Sequence, residues 1–119
     1  MNLKTNSEDN FIQLLADECS KAIMSLTTRK EYSALQLSRE LNIPSTTVYR
    51  KLKLLEEADM IQNVKTLIDR SGNEEKYYRC IIQEAIVKFN EGKVLITIKR
   101  LDFRDKFVKL WKKLSAPES

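Results

Sequence analysis

The chain has 119 residues, 42% of them hydrophobic and 32% charged, which is enough for one domain core with little to spare. Its formal net charge of +4, from 21 basic and 17 acidic residues, permits nucleic-acid binding without requiring it. Histidine is absent, and the two cysteines, Cys19 and Cys80, belong to no Cys-x-x-Cys pair, so neither a zinc cluster nor a histidine-assisted nucleophile is expected.

Two glycines and two prolines argue against a loop-rich all-β domain and for helices with a few strands. No apolar run approaches the ~20 residues a spanning helix needs. The opening "MNLKTNSEDNF" lacks a basic stretch followed by an apolar one, so a cytoplasmic protein without a secretory signal is expected. Catalysis and cofactors are not expected either, because no constellation of carboxylates, lysines or thiols suggests them. The charge is unevenly placed. Residues 1–44 carry −1, residues 45–82 carry +1, and residues 83–119 carry +4.

A first helix is expected from Glu8 to Leu26, with Ser7 as N-cap and the acids Glu8 and Asp9 in its first turn. Phe11, Ile12, Leu15, Ala16, Cys19, Ala22, Ile23 and Leu26 would share one broad apolar face. So wide a face suits packing on more than one side, including against a partner subunit. Cys19, in the middle of it, reads as a small buried hydrophobe rather than a reactive thiol.

After "TTRKEY", Ser33 and Gln36 have capping-box spacing at the head of a short helix ending at Leu41. Ala34, Leu37 and Leu41 form its inner stripe. Asn42 tolerates the left-handed conformation that ends helices, and Pro44 pre-sets φ for the next one. A short helix, a tight turn and a second helix make a helix-turn-helix pattern.

On the second of these helices Val48, Leu52 and Leu55 recur at core spacing, flanked by Leu54 and Ala58. The opposite side collects Thr46, Tyr49, Arg50 and Lys53, with Thr47 and Lys51 near the boundary. The acids Glu56, Glu57 and Asp59 come only afterwards. The outward face is therefore polar and basic where the helix begins and acidic where it ends.

The period then changes. Ile61 to Ile68 and "KYYRCII" read as strands around a charged tip, "DRSGNEE", with Tyr78, Cys80 and Ile82 on one face. A second hairpin follows: "AIVKF", the loop "NEGK", and "VLITIKR". Val87 and Phe89 oppose Val94, Ile96 and Ile98 on one face, leaving Lys88, Thr97 and Lys99 on the other. A last amphipathic helix is expected after Asp102, with Phe103, Phe107, Leu110, Trp111 and Leu114 as its stripe.

The segment Ser33 to Ile82, through "LSRELNIPSTTVYRKLKLLEEADMI" and the later "KYYR", resembles the DNA-binding domain of ArsR- and MarR-type transcriptional regulators, particularly small archaeal members. The resemblance, which covers roughly half the chain, implies an α+β winged helix-turn-helix, a three-helix core with a β-hairpin wing; the C-terminal β-hairpin and amphipathic helix read from the residue pattern come after it. Residues 1–82 would form the winged-helix DNA-binding domain, and residues 83–119 read as a dimerisation extension of it or as elements that only complete its core. The helix Ser45–Ala58 would enter the major groove of double-stranded DNA. Ser45, Thr46 and Thr47 would meet phosphates near its N-terminus, and Tyr49, Arg50 and Lys53 base edges or further phosphates. Lys65, Arg70, Asn73 and Lys76 would touch backbone or minor groove from the wing.

The chain departs from the usual pattern at Asn42 and Asp59, where relatives often carry glycine, and at Pro44, where a capping serine is frequent. The metal ligands of ArsR-type metal sensors are missing, so metal-responsive repression is not implied. A homodimer is expected, since paired recognition helices ~34 Å apart match a palindromic site. The first and last helices would supply its interface through Phe11, Leu15, Phe107, Leu110, Trp111 and Leu114. Two rival readings remain open. One is a protein-binding winged helix of the transcription machinery, favoured by the wing acids Asp69, Glu74 and Glu75. The other is attachment of the basic last helix to a membrane surface.

Overall fold

The computed structural model describes residues 7–103. Its elements run α1 (Ser7–Ala16), α2 (Glu18–Arg29), β1 (Tyr32–Ser33), α3 (Ala34–Leu41), α4 (Ser45–Glu57), β2 (Ile61–Ile68), β3 (Glu74–Cys80), β4 (Ile82–Asn90) and β5 (Lys93–Arg100). They fall into two units, divided between Cys80 and Ile81.

In the first unit the single long helix expected from Glu8 to Leu26 is two helices. Asp17 interrupts them with φ −77° and ψ 125°, and its side chain accepts a hydrogen bond from the Ser20 backbone N–H. An aspartate beside a further acid, Glu18, is a favourable N-cap, and here that local bond outweighs continuation of the apolar period. The broad face from Phe11 to Leu26 is thereby split, with Phe11 and Leu14 buried on α1 and Ile23 and Met24 on α2.

The capping box at Ser33 is present in full. The Ser33 hydroxyl accepts from the Gln36 N–H at 3.2 Å, and the Gln36 side chain accepts from the Ser33 N–H at 3.0 Å. Asn42 ends α3 in the left-handed region at φ 55°. The turn after it is closed twice over. Ile43 N–H donates to the Ser38 carbonyl at 3.1 Å, and the Ser38 hydroxyl donates to the Ile43 carbonyl.

Helix α4 buries Val48, Leu52 and Leu55, each no more than 2% exposed, at the spacing that defines one helical face. It terminates at Ala58, and Asp59 follows in the left-handed region at φ 55°. Met60 and Ile61 then carry the core into β2.

Strand order in the first unit is β1-β3-β2, antiparallel throughout. The two-residue strand β1, expected to be plain connection, pairs Tyr32 with Tyr78 and Ser33 with Tyr77. Strand β3 starts at Glu74, so part of the expected polar tip is strand. Tyr78 and Cys80 face the core as expected, whereas Ile82 opens β4.

The second unit is a two-stranded antiparallel ribbon of β4 and β5. Its loop is only Glu91 and Gly92, because Asn90 and Lys93 still pair, which makes it tighter than the four-residue loop expected. Directly paired residues share a face, so Ala85/Ile98, Val87/Ile96 and Phe89/Val94 give an apolar face. Ile86/Thr97, Lys88/Leu95 and Glu84/Lys99 make the mixed one. The helix expected beyond Asp102 lies outside the described residues from position 104 onward.

Candidate nucleic-acid interface

Helix α4 presents Thr46, Tyr49, Arg50 and Lys53 to solvent, while Ser45, Thr47 and Lys51 are half-buried. Tyr49 alone keeps 55% of its surface exposed. No side chain caps the N-terminus of α4, and no acid sits in its first turn. The Thr47 and Val48 amides are satisfied by the Pro44 carbonyl, at 3.0 and 3.2 Å. The helix thus begins with hydroxyls, an uncapped positive dipole end and two exposed cations, an arrangement that attracts anions.

The packing that fixes this face comes from behind. Val48, Leu52 and Leu55 point into the core, so rotating α4 to hide Arg50 would expose them. A second constraint is ionic. Lys51 Nζ lies 3.2 Å from Asp17 Oδ1, which ties the start of α2 to the middle of α4. The Ser20 N–H beside Asp17 holds that carboxyl below its ordinary value, against an opposing effect of burial. Cys19, expected to be a buried hydrophobe, is half-buried, and burial, with Asp17 nearby, pushes its thiol up.

The wing, β2 and β3 with their connection, is exposed from Lys65 to Glu74. Its tip is built on Asp69, whose Oδ1 accepts from the Ser71 N–H at 2.8 Å and the Asn73 N–H at 2.9 Å. These bonds, the Asn73 amide first, hold the Asp69 carboxyl below its ordinary value. The Asn73 side chain donates to Asp69 Oδ2 at 3.3 Å, so it is committed to the tip. Asp69 is thus a loop-forming acid whose charge is met by backbone donors, with Arg70 and Lys76 exposed beside it.

Lys65 is already occupied. Its ammonium sits 2.6 Å from Glu31 Oε1 and 4.5 Å from the centroid of the Tyr77 ring. The ion pair with Glu31 raises its pKa. Three side chains that matter to this surface were not singled out from the sequence: Asp17, Glu31 and Arg79. Arg79 donates from Nε to the Thr27 carbonyl at 2.9 Å and from Nη2 to the Thr28 carbonyl at 3.1 Å, capping the end of α2. Only Asp17 left a local trace, the Asp-Glu pair just after Ala16. The partners of Glu31 and Arg79 lie 34 and 52 residues away, beyond any local pattern.

Of the residues expected at a dimer interface, Phe11 is 3% exposed and turned into the core of its own unit, and Leu15 is half-buried. Phe107, Leu110, Trp111 and Leu114 lie outside the described residues. Among the described residues no cluster of acids and cysteines could hold a metal ion, and no helix is long and apolar enough to cross a membrane.

Residues 15–62 match the family model described as a helix-turn-helix domain. Solved structures share the wider architecture. Reduced HlyU from Vibrio cholerae N16961 is similar at TM-score 0.50 and 13% identity, over 93% of this chain and 90% of that one. NolR from Sinorhizobium fredii is similar at TM-score 0.51 and 12% identity, over 94% and 87%. The fold is a winged helix. No curated protein matches the chain. In winged-helix terms α3 and α4 are the helix-turn-helix pair and β2–β3 is the wing. At such identities the likeness carries the backbone plan and no residue roles.

Proposed function

We propose that this chain is a sequence-specific, double-stranded-DNA-binding transcriptional regulator of ArsR/MarR-like type, acting by binding rather than catalysis. One observation carries the reading: Thr46, Tyr49, Arg50 and Lys53 stand exposed on α4 directly opposite the buried Val48, Leu52 and Leu55. In this reading α4 enters the major groove. Ser45, Thr46 and Thr47 approach phosphates, and Arg50 is the first candidate to read a guanine through its O6 and N7 acceptors. Arg70 and Lys76 reach the backbone or minor groove from the wing, while Asn73 shapes the tip that presents Arg70.

The reading includes a homodimer, because two recognition helices one helical turn apart match a palindromic site. Leu15 and the segment holding Phe107, Leu110, Trp111 and Leu114 are its proposed interface. Phe11 serves the core instead.

Selection of bound duplexes from a random library, followed by salt titration on the winner, tests this. A recovered palindrome holding two chains per duplex, with affinity falling steeply and linearly in log–log salt, is expected. No enrichment and no salt-dependent binding would overturn it. A second reading, a protein-binding winged helix, is favoured by Leu67 and Ile68, which are 47% and 66% exposed on the wing. That reading predicts no duplex binding at any salt concentration.

A further inference from the structure

Two lysines at the edges of the proposed DNA surface are each held by an acid from another element. Lys51 on α4 lies 3.2 Å from Asp17, and Lys65 at the base of the wing lies 2.6 Å from Glu31. Neither pair is a buried structural necessity. The lysine side chains keep 21% and 43% of their surface, and the acids 33% and 39%. By contrast Arg50 and Lys53, at the centre of the same surface, make no ion pair among the described residues.

We infer that Asp17 and Glu31 are specificity-determining acids, withholding Lys51 and Lys65 from DNA phosphates so that sequence-independent affinity stays low. The inference rests on the DNA-binding reading and refines it.

The physical reasoning starts from what a phosphate contact contributes. Non-specific affinity comes almost wholly from cations that displace counterions, and it grows with each lysine or arginine that reaches a phosphate. A lysine paired with a carboxylate brings no net charge to that exchange. Moving it to a phosphate breaks the pair and leaves an unpaired acid facing a polyanion. The contact is thus closed to an arbitrary duplex, whereas base-edge contacts from Arg50 and its neighbours stay available. The number of cations working on any sequence is smaller than the number near the surface, and discrimination gains because the sequence-independent part is reduced.

The chemistry at each acid differs in a way that helps the test. Glu31 caps no helix, and its ammonium partner is further steadied by the Tyr77 ring at 4.5 Å. Asp17 also caps α2, so its replacement must keep an acceptor. Asparagine does, as a competent N-cap.

The test is a set of cycles on the full-length chain, Glu31→Gln with Lys65→Met and Asp17→Asn with Lys51→Met, read as salt titrations on a random-sequence duplex. Releasing one lysine is expected to raise non-specific affinity about fivefold at 0.15 M salt and to steepen the log–log slope by about 0.9. Lys65→Met or Lys51→Met alone is expected to leave the slope unchanged, and each is expected to abolish the gain when combined with its acid's replacement. Equal gains with and without the lysine would mean simple removal of a repelling charge and would overturn the inference. Wild type that binds with variants no tighter would overturn it too, leaving the DNA reading intact. Wild type and all variants failing to bind any duplex would sink the DNA reading and this inference together.

Discussion

Asp17 Oδ1 lies 3.2 Å from Lys51 Nζ while its other oxygen accepts from the Ser20 N–H at 2.9 Å, so one side chain both starts α2 and ties it to α4. The two roles separate by substitution. Asp17→Ala removes both and is expected to cost about 1 kcal/mol, most of it the lost cap. Asp17→Asn keeps a capping oxygen and loses only the ion pair, expected at a few tenths of a kcal/mol. Urea unfolding followed by circular dichroism measures both. Equal losses would place the energy in the ion pair instead.

The same carboxylate gives stability an acid dependence whose sign is fixed. Its folded pKa lies below the ordinary 3.8, chiefly because of the Ser20 N–H, so the unfolded chain binds this proton first as pH falls. The Asp17 contribution is therefore full above about pH 5 and is lost as acid takes the pH down through the lowered folded value. Unfolding midpoints between about pH 6 and about pH 2 are expected to fall less steeply for Asp17→Asn than for wild type. An unchanged profile would assign the acid sensitivity to other carboxylates.

Arg50 and Leu52 sit two residues apart on α4 and face opposite ways, one exposed and one 2% exposed. Leu52→Ala should destabilise by about 2–5 kcal/mol, from lost burial plus a cavity. Arg50→Ala should leave stability within about 0.5 kcal/mol, since it breaks no packing. Yet on the selected duplex Arg50→Ala should cost roughly 1–3 kcal/mol of binding if the guanidinium reads a base. Equal loss on selected and random duplexes would reduce Arg50 to a phosphate contact. Thermal unfolding and a binding titration on the same preparations give the comparison.

These positions also show why some of the structure was readable in the sequence. Val48, Leu52 and Leu55 announce their side of α4 by spacing alone. The Ser33–Gln36 box and Asn42 are local hydrogen-bond and backbone preferences that four residues suffice to encode. What failed was non-local or competitive. The apolar period runs unbroken across Asp17, and only the gain from capping Ser20 and meeting Lys51 decides for a break. Strand β1 is two residues long and exists because Tyr78 and Tyr77 lie beside it, 46 and 44 positions along the chain. Lys65 looked free as a sequence position because its partner Glu31 belongs to the connection before α3. The exposed face of α4 was thus legible as a face, whereas the pairing of the charges around it was not.

The turn between β4 and β5 offers a prediction confined to the second unit. Glu91 and Gly92 both have positive φ, at 52° and 74°, the requirement of a two-residue hairpin turn that follows the strands' twist. A Cβ placed on Gly92 would meet no atom within 4 Å, so the cost of Gly92→Ala is conformational rather than steric. That cost is about 1–2 kcal/mol, since left-handed backbone disfavours any L side chain. Glu91→Asn works in the other direction, because asparagine tolerates the left-handed region and Asn-Gly is the preferred pair. A two-stranded ribbon is marginal by itself, so the change should show as local opening. Amide exchange at the hydrogen-bonded Lys88/Leu95 and Ile86/Thr97 pairs is expected to quicken about five- to thirtyfold in Gly92→Ala and to slow in Glu91→Asn. Exchange at the buried amides of α4 should stay at its wild-type rate in both. A parallel change there would mean that the ribbon opens only when the winged helix does.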